Sequence, residues 1–216
     1  MTRMKRALGP AWPFVCFLLL NLLLLSLSRL GLAAWQAERV TDTGGWAHLL
    51  LQGLRVDVST LSWLFGVPMV FTMLLAHGHA LGCGWLWLMR VWLVAGSVLL
   101  LFMELATPAF IETYDLRPNR LFVEYLIYPR EVFGMLLQGH LVALLLVGLI
   151  LPLAAWSLWR FSARVCRDLS YPRFYWRPVL AVLVLAIGLL GARSSLGHRG
   201  INPALVAFST DPLVNS

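Results

Sequence analysis

Apolar residues in this chain come in long blocks, without the strict alternation of a half-buried strand or the narrow stripe of a soluble amphipathic helix. A helix needs about 20 mostly apolar residues to cross the hydrocarbon core of a bilayer. Five stretches supply them, at about 12–35, 56–77, 85–107, 133–158 and 177–193. The first follows Arg3, Lys5 and Arg6 and is longer than the apolar core of a secretory signal, so it reads as an uncleaved anchor. The second contains Pro68, where a kink is expected, and "HGHALGCG" between the second and third reads as a tight turn. The fifth is short unless its flanks are buried. The pattern predicts an all-α polytopic membrane protein with a five-span domain over 1–193 and a juxtamembrane tail over 194–216.

One segment breaks the pattern. "FIETYDLRPNRLFVEYLIYPREV", residues 110–132, mixes charged residues with Phe122, Tyr125, Leu126, Ile127 and Tyr128. Within it Arg120 and Glu124 stand four apart, and Leu121, Tyr125 and Tyr128 follow helical spacing. Pro118 suits a helix start and Pro129 a stop. The expectation is a short interfacial helix on the outer face, apolar side down and tyrosines at headgroup depth.

Composition agrees with the spans. Of 216 residues 60% are hydrophobic and 12% charged, where soluble domains are about a quarter charged. The excess of 17 Lys+Arg over 10 Asp+Glu does not point to nucleic acid, because the apolar blocks leave no soluble basic face. It points to topology instead, since basic residues gather on the cytoplasmic side of membrane proteins. With the N-terminus inside, one side collects Arg3, Lys5, Arg6, Arg90, Arg160, Arg164, Arg167, Arg173 and Arg177 with Asp168 as its acid. The other side mixes seven arginines with eight acids. The dense basic loop 160–178 therefore places the N-terminus inside and the C-terminus outside.

Candidate chemistry is sparse. Cys16, Cys83 and Cys166 are widely separated and read as packing residues. His77 and His79 have no acid or cysteine nearby in sequence to complete a metal site, and Gln138 and His140 read as hydrogen-bonded packing residues. No phosphate loop, nucleophile elbow or two-metal cluster occurs. What stands out is depth: Arg55 and Asp57 open the second span at the outer side, and Glu104 lies near the outer end of the third. Ionisable groups at membrane depth are costly and face a partner or a polar cavity. Asp57, Glu104, Arg120, Glu124, Arg130 and Glu131, with Arg55 beside them, thus form one candidate cluster at the outer leaflet. Two readings stand: mutual salt bridges that tie loops to helix ends, or a headgroup site in which arginines grip a lipid phosphate and carboxylates accept from glycerol hydroxyls.

Three stretches carry a family resemblance. "GLRVDVS" (53–59), the 110–132 segment and the closing "GHRGINPALVAFSTDPLVNS" (197–216) resemble the membrane part of the lipoteichoic acid synthase and phosphoglycerol transferase family. That resemblance implies a five-span N-terminal domain in a bacterial plasma membrane, followed by an extracytoplasmic sulfatase-like domain. It implies transfer of phosphoglycerol from phosphatidylglycerol through a phospho-threonine beside a divalent metal, Mn or Mg. Those ligands and that threonine belong to the sulfatase-like domain, which lies beyond this sequence. Thr210 has no surrounding acid and histidine set, so no catalytic residue, cofactor or metal is expected in this chain. The expectation is an anchoring and lipid-presenting domain, inactive alone, whose partners are phosphatidylglycerol and a separate or lost sulfatase-like domain. The ending in mid-segment points to a truncated chain. The alternatives are a stand-alone scaffold, a partner-docking protein or small transporter subunit, and the membrane domain of a phosphoethanolamine transferase.

Overall fold

The computed structural model describes residues 5, 8–42, 44–75, 80–115, 118, 141–167 and 169–193. Every described element is helical. A 3-10 turn, Gly9–Ala11, leads into α1 (Trp12–Trp35), followed by the short α2 (Ala37–Asp42) and by α3 (Trp46–Leu61). A π-helical segment, Ser62–Gly66, joins α3 to α4 (Val67–Leu75). Then come α5 (Ala80–Tyr114), α6 (Leu141–Val165), a 3-10 turn at Phe174–Trp176 and α7 (Arg177–Arg193). Five of these units are long and apolar enough to cross a membrane: Gly9–Trp35, Trp46–Leu75, Gly82–Tyr114, Leu144–Val165 and Phe174–Arg193. The chain is a multi-pass, all-α membrane protein.

The first and fifth spans lie within a turn of where the apolar blocks put them, and the second, third and fourth each run past their block at one end or both. The second begins at Trp46, ten residues before the apolar block, because "WAHLLLQGLR" continues the same helix. Span three runs on to Tyr114, so Phe110–Tyr114 of the charged segment are helix rather than linker, with Phe110 and Ile111 buried. At 35 residues α5 is about 52 Å long and overshoots a ~30 Å hydrocarbon core. The expected turn "HGHALGCG" is already helical from Ala80 onward. Span four continues to Val165, and its beginning, like the interfacial helix expected after Pro118, lies outside the described residues.

Just before Pro68, where a kink is expected, lies the π segment Ser62–Gly66. Proline has no N–H to give the Leu64 carbonyl four residues back. The indole Nε1 of Trp92 on α5 donates to that carbonyl at 2.9 Å. A polar backbone group inside the bilayer is thereby satisfied from a neighbouring helix.

Side-chain contacts fix how the spans run. Spans one and three are parallel, since the polar pairs between them keep a constant offset of 76 residues. Spans two and five are antiparallel: Ser59 meets Ala192, Ser62 meets Gly191 and Gly66 meets Gly188. Gly66 and Gly188 face each other, each Cα about 4 Å from the other's would-be Cβ, so the two backbones approach closely. At the end where the chain begins, Gly9 (φ +50°) lies against the backbone of Ser170, where any Cβ would fall 2.7 Å from the Ser170 carbonyl. The central core joins Phe14, Phe17 and Leu25 of α1 to Leu61, Phe65, Leu93 and Val165. Leucines 19, 23, 27 and 30 of α1 point outward instead, as lipid-facing residues do.

The two ends of the bundle differ in charge. Lys5, Arg90, Arg160, Arg164, Arg167, Arg173 and Arg177 share one end, where the described residues include no acid. Two of these arginines lie on indoles, Arg90 over Trp159 at 4.5 Å and Arg160 over Trp156 at 4.4 Å. Every described acid lies toward the other end, in α2, α3, the C-terminal part of α5 and Asp115.

Candidate functional site

The site is built on one stripe of α1. Phe14, Phe17, Asn21, Leu25, Arg29 and Ala33 recur at three- and four-residue steps and are all buried, so two polar side chains sit on the face that a soluble helix would keep apolar. Each is matched from another span. Asn21 donates through Nδ2 to the Phe17 carbonyl at 2.7 Å and to Ser97 Oγ at 2.8 Å, with Ser97 in turn donating to the Leu93 carbonyl. Two turns along, Ser28 donates to Glu104. At the next residue, Arg29 forms a two-pronged ion pair with Asp57 of α3, Nη1 to Oδ2 at 2.6 Å and Nη2 to Oδ1 at 2.9 Å.

The Arg29–Asp57 pair is buried, with side-chain exposures of 11% and 7%. Its geometry depends on Gly53, one turn before Asp57, because a Cβ there would fall 2.2 Å from the Arg29 guanidinium carbon. The absence of a side chain at 53 is what lets the fork lie flat against α3 and reach both carboxylate oxygens. In hydrocarbon neither charge could stand alone. Together they form a neutral bidentate unit that holds spans one and two at a set depth.

A second arginine–aspartate fork closes the same end. Arg39 of α2 reaches Asp115, just past α5, with Nη1 to Oδ1 at 2.5 Å and Nη2 to Oδ2 at 3.1 Å. This pair is exposed, at 40% and 58%. Hydrogen bonding from Arg39 holds the Asp115 carboxyl below the usual range, its nearby charge acting in the same direction. Asp115 also carries a positive φ of 55°, ending the helix in the left-handed region that Asp tolerates better than most residues.

Of the residues singled out from sequence, Asp57 and Glu104 come to the same layer, joined through the adjacent Ser28 and Arg29 of α1. Arg55 does not face that layer. Two residues from Asp57, it points to the opposite side of α3 and donates to Gln52 Oε1 at 2.8 Å. Arg120, Glu124, Arg130 and Glu131 lie outside the described residues, as do His77, His79, Gln138 and His140. Sequence reasoning missed Arg29, the central member, although an arginine deep in a 24-residue apolar helix demands a partner. Among the described residues no three His, Cys, Asp or Glu side chains converge as metal ligands, and Cys16, Cys83 and Cys166 are free thiols. The arrangement pairs charges and sets helix depth; it presents no nucleophile beside a base. No protein-family model matches the chain, and no solved structure matches it.

Proposed function

We propose that this chain is a lipid-binding membrane domain that holds an anionic phospholipid, phosphatidylglycerol, at its acid-bearing end for an extramembrane transferase domain. The supporting observation is the ordered polar layer there: Arg29 pairs with Asp57 and Ser28 donates to Glu104, which ties spans one, two and three together at the end from which the sequence continues into the segment that carries Arg120, Glu124, Arg130 and Glu131. Positive-inside bias puts the basic end, with Arg90, Arg160, Arg164, Arg167, Arg173 and Arg177, in the cytoplasm. The acid-bearing end then faces outward from a bacterial plasma membrane, with the N-terminus cytoplasmic and the C-terminus extracytoplasmic. The resemblance of 53–59, 110–132 and 197–216 to phosphoglycerol transferases supports both the lipid and the absence of catalysis from this part alone. The test is retention of phosphatidylglycerol against phosphatidylcholine by the purified chain in mixed nanodiscs. A preference of several-fold is expected, falling in Arg120→Ala and Glu124→Ala; equal retention of both lipids by the unaltered chain would sink the reading.

A further inference from the structure

The last turns of α6, at the basic end, have two unlike faces. One packs inward: Val165 belongs to the central core, and the buried Ser162 Oγ accepts from Arg90 Nε at 3.3 Å and donates to the Trp159 carbonyl at 2.7 Å. The opposite face points away from the bundle. Along it Leu149, Leu153, Trp156, Arg160, Arg164 and Arg167 recur at steps of three and four residues. Arg167 stands in the turn after Val165, where the Cys166 N–H still bonds to the Ser162 carbonyl four residues back, so the stripe keeps its register to the end. All six are exposed, Leu149, Leu153 and Trp156 by 59%, 55% and 57%. The Arg160 guanidinium lies over the Trp156 ring at 4.4 Å, a contact that uses its face and leaves the N–H groups at its edge able to donate. Neither Arg164 nor Arg167 has an ion pair or hydrogen bond to a described residue, and no described acid stands at this end.

We infer that this stripe holds an anionic phospholipid of the leaflet bordering the basic end, with Arg160, Arg164 and Arg167 donating to its phosphate group and an acyl chain lying along Leu153 and Leu149. Depth fits this occupant. Leu149 is about 16 Å of helix from Arg160, close to the ~15 Å of hydrocarbon in one leaflet. Trp156 then falls at the boundary between hydrocarbon and headgroups, where indoles gather. Charge complementarity excludes the competitors. A second copy packed on this stripe about a twofold axis normal to the membrane would set three arginines against three. An acidic soluble partner would meet the arginines and leave the apolar part of the stripe unused. A phosphodiester above a hydrocarbon chain matches both parts. The inference goes beyond the lipid proposed at the acid-bearing end and shares no residue with it.

The test uses phosphatidylglycerol and phosphatidylcholine, each bearing a photoreactive diazirine in one acyl chain, incorporated in turn as a minor component with the whole chain into phosphatidylcholine nanodiscs. Crosslinked peptides are mapped by mass spectrometry. Labelling of 149–156 by phosphatidylglycerol is expected to exceed that by phosphatidylcholine about three-fold at low salt, and the excess to fall away in about 0.5 M salt, which screens the attraction of arginines for headgroups. The excess should vanish in Arg160→Gln/Arg164→Gln/Arg167→Gln while labelling by phosphatidylcholine persists. Trp156→Leu, which removes the ring that holds Arg160, should lower the excess about two-fold. Melting temperatures check that each variant is folded, and Arg164→Gln/Arg167→Gln, which should halve the excess, is the milder arm should the triple variant fail to insert. Equal labelling of 149–156 by the two lipids in the unaltered chain, as arginines that served membrane orientation alone would give, overturns the site; so does an excess unchanged in the folded arginine variants. Arg120→Ala and Glu124→Ala should leave labelling of 149–156 as it is, so that failure here and failure of the lipid reading at the acid-bearing end are told apart.

Discussion

Two forks of the same chemistry, Arg29–Asp57 and Arg39–Asp115, tie the acid-bearing end of this protein together, and they differ almost wholly in what surrounds them. Both are bidentate and both join elements distant in sequence. The first lies among apolar helices, where water cannot substitute for either partner. The second lies at the surface, where water and salt compete for both ions. Identical contacts thus carry different energetic roles: the buried pair is obligatory because its separated charges have nowhere to go, and the exposed pair adds orientation to chain ends that other contacts already hold.

Removing one buried partner gives the largest effect. Asp57→Ala strands Arg29 and should cost about 3–5 kcal/mol of stability in detergent-based unfolding. Replacing both, Arg29→Met with Asp57→Leu, should recover most of that loss, since the cost belongs to the orphaned charge. A loss below about 1 kcal/mol in the single variant would show that water reaches the pair and would erase the contrast.

A smaller change tests geometry without removing charge. Gly53→Ala pushes a methyl into the guanidinium and should cost about 1–3 kcal/mol. Gly84→Ala, which meets nothing within 4 Å, is the matched control and should leave the melting temperature unchanged.

Below this come the neutral polar contacts. Ser97→Ala leaves Asn21 with the Phe17 carbonyl and should cost about 0.6–1.7 kcal/mol, the range of hydrogen bonds between membrane helices. A larger loss there than at Gly53 would mean that the α1–α5 register, rather than the ion pair, is the main tie.

The exposed fork should respond least. Asp115→Asn is expected to leave the unfolding midpoint unchanged between pH 5 and 8. Because Arg39 lowers the folded pKa of Asp115, its contribution is present above the ordinary carboxylate value, about 3.9, and is lost as pH falls through the lower folded value. Any pH dependence of stability near neutrality must therefore come from another group.

The legible and illegible parts divide by the range of the cause. Spans one and five follow their apolar runs to within a turn because the bilayer imposes a length on such runs and local sequence meets it. The ends of spans two, three and four do not, since "WAHLLLQGLR", "FIETY" and the residues up to Val165 are polar enough to leave hydrocarbon yet continue a helix already nucleated. Depth made Asp57 and Glu104 recognisable as candidates. Their partners were not recognisable, because Arg29 and Ser28 lie 28 and 76 residues away and hydropathy carries no information about which faces meet.

Sequence alone thus determined that this protein crosses a membrane five times with its charge divided between the two ends, because solvation by lipid or water acts on each residue where it stands. Only the tertiary structure decided that Arg29 neutralises Asp57 across Gly53, that spans one and three run parallel at a fixed offset, and that spans two and five run antiparallel with Gly66 facing Gly188. Those outcomes depend on the register between helices, which is set when buried polar groups from distant parts of the chain must satisfy one another in a medium that offers them nothing else.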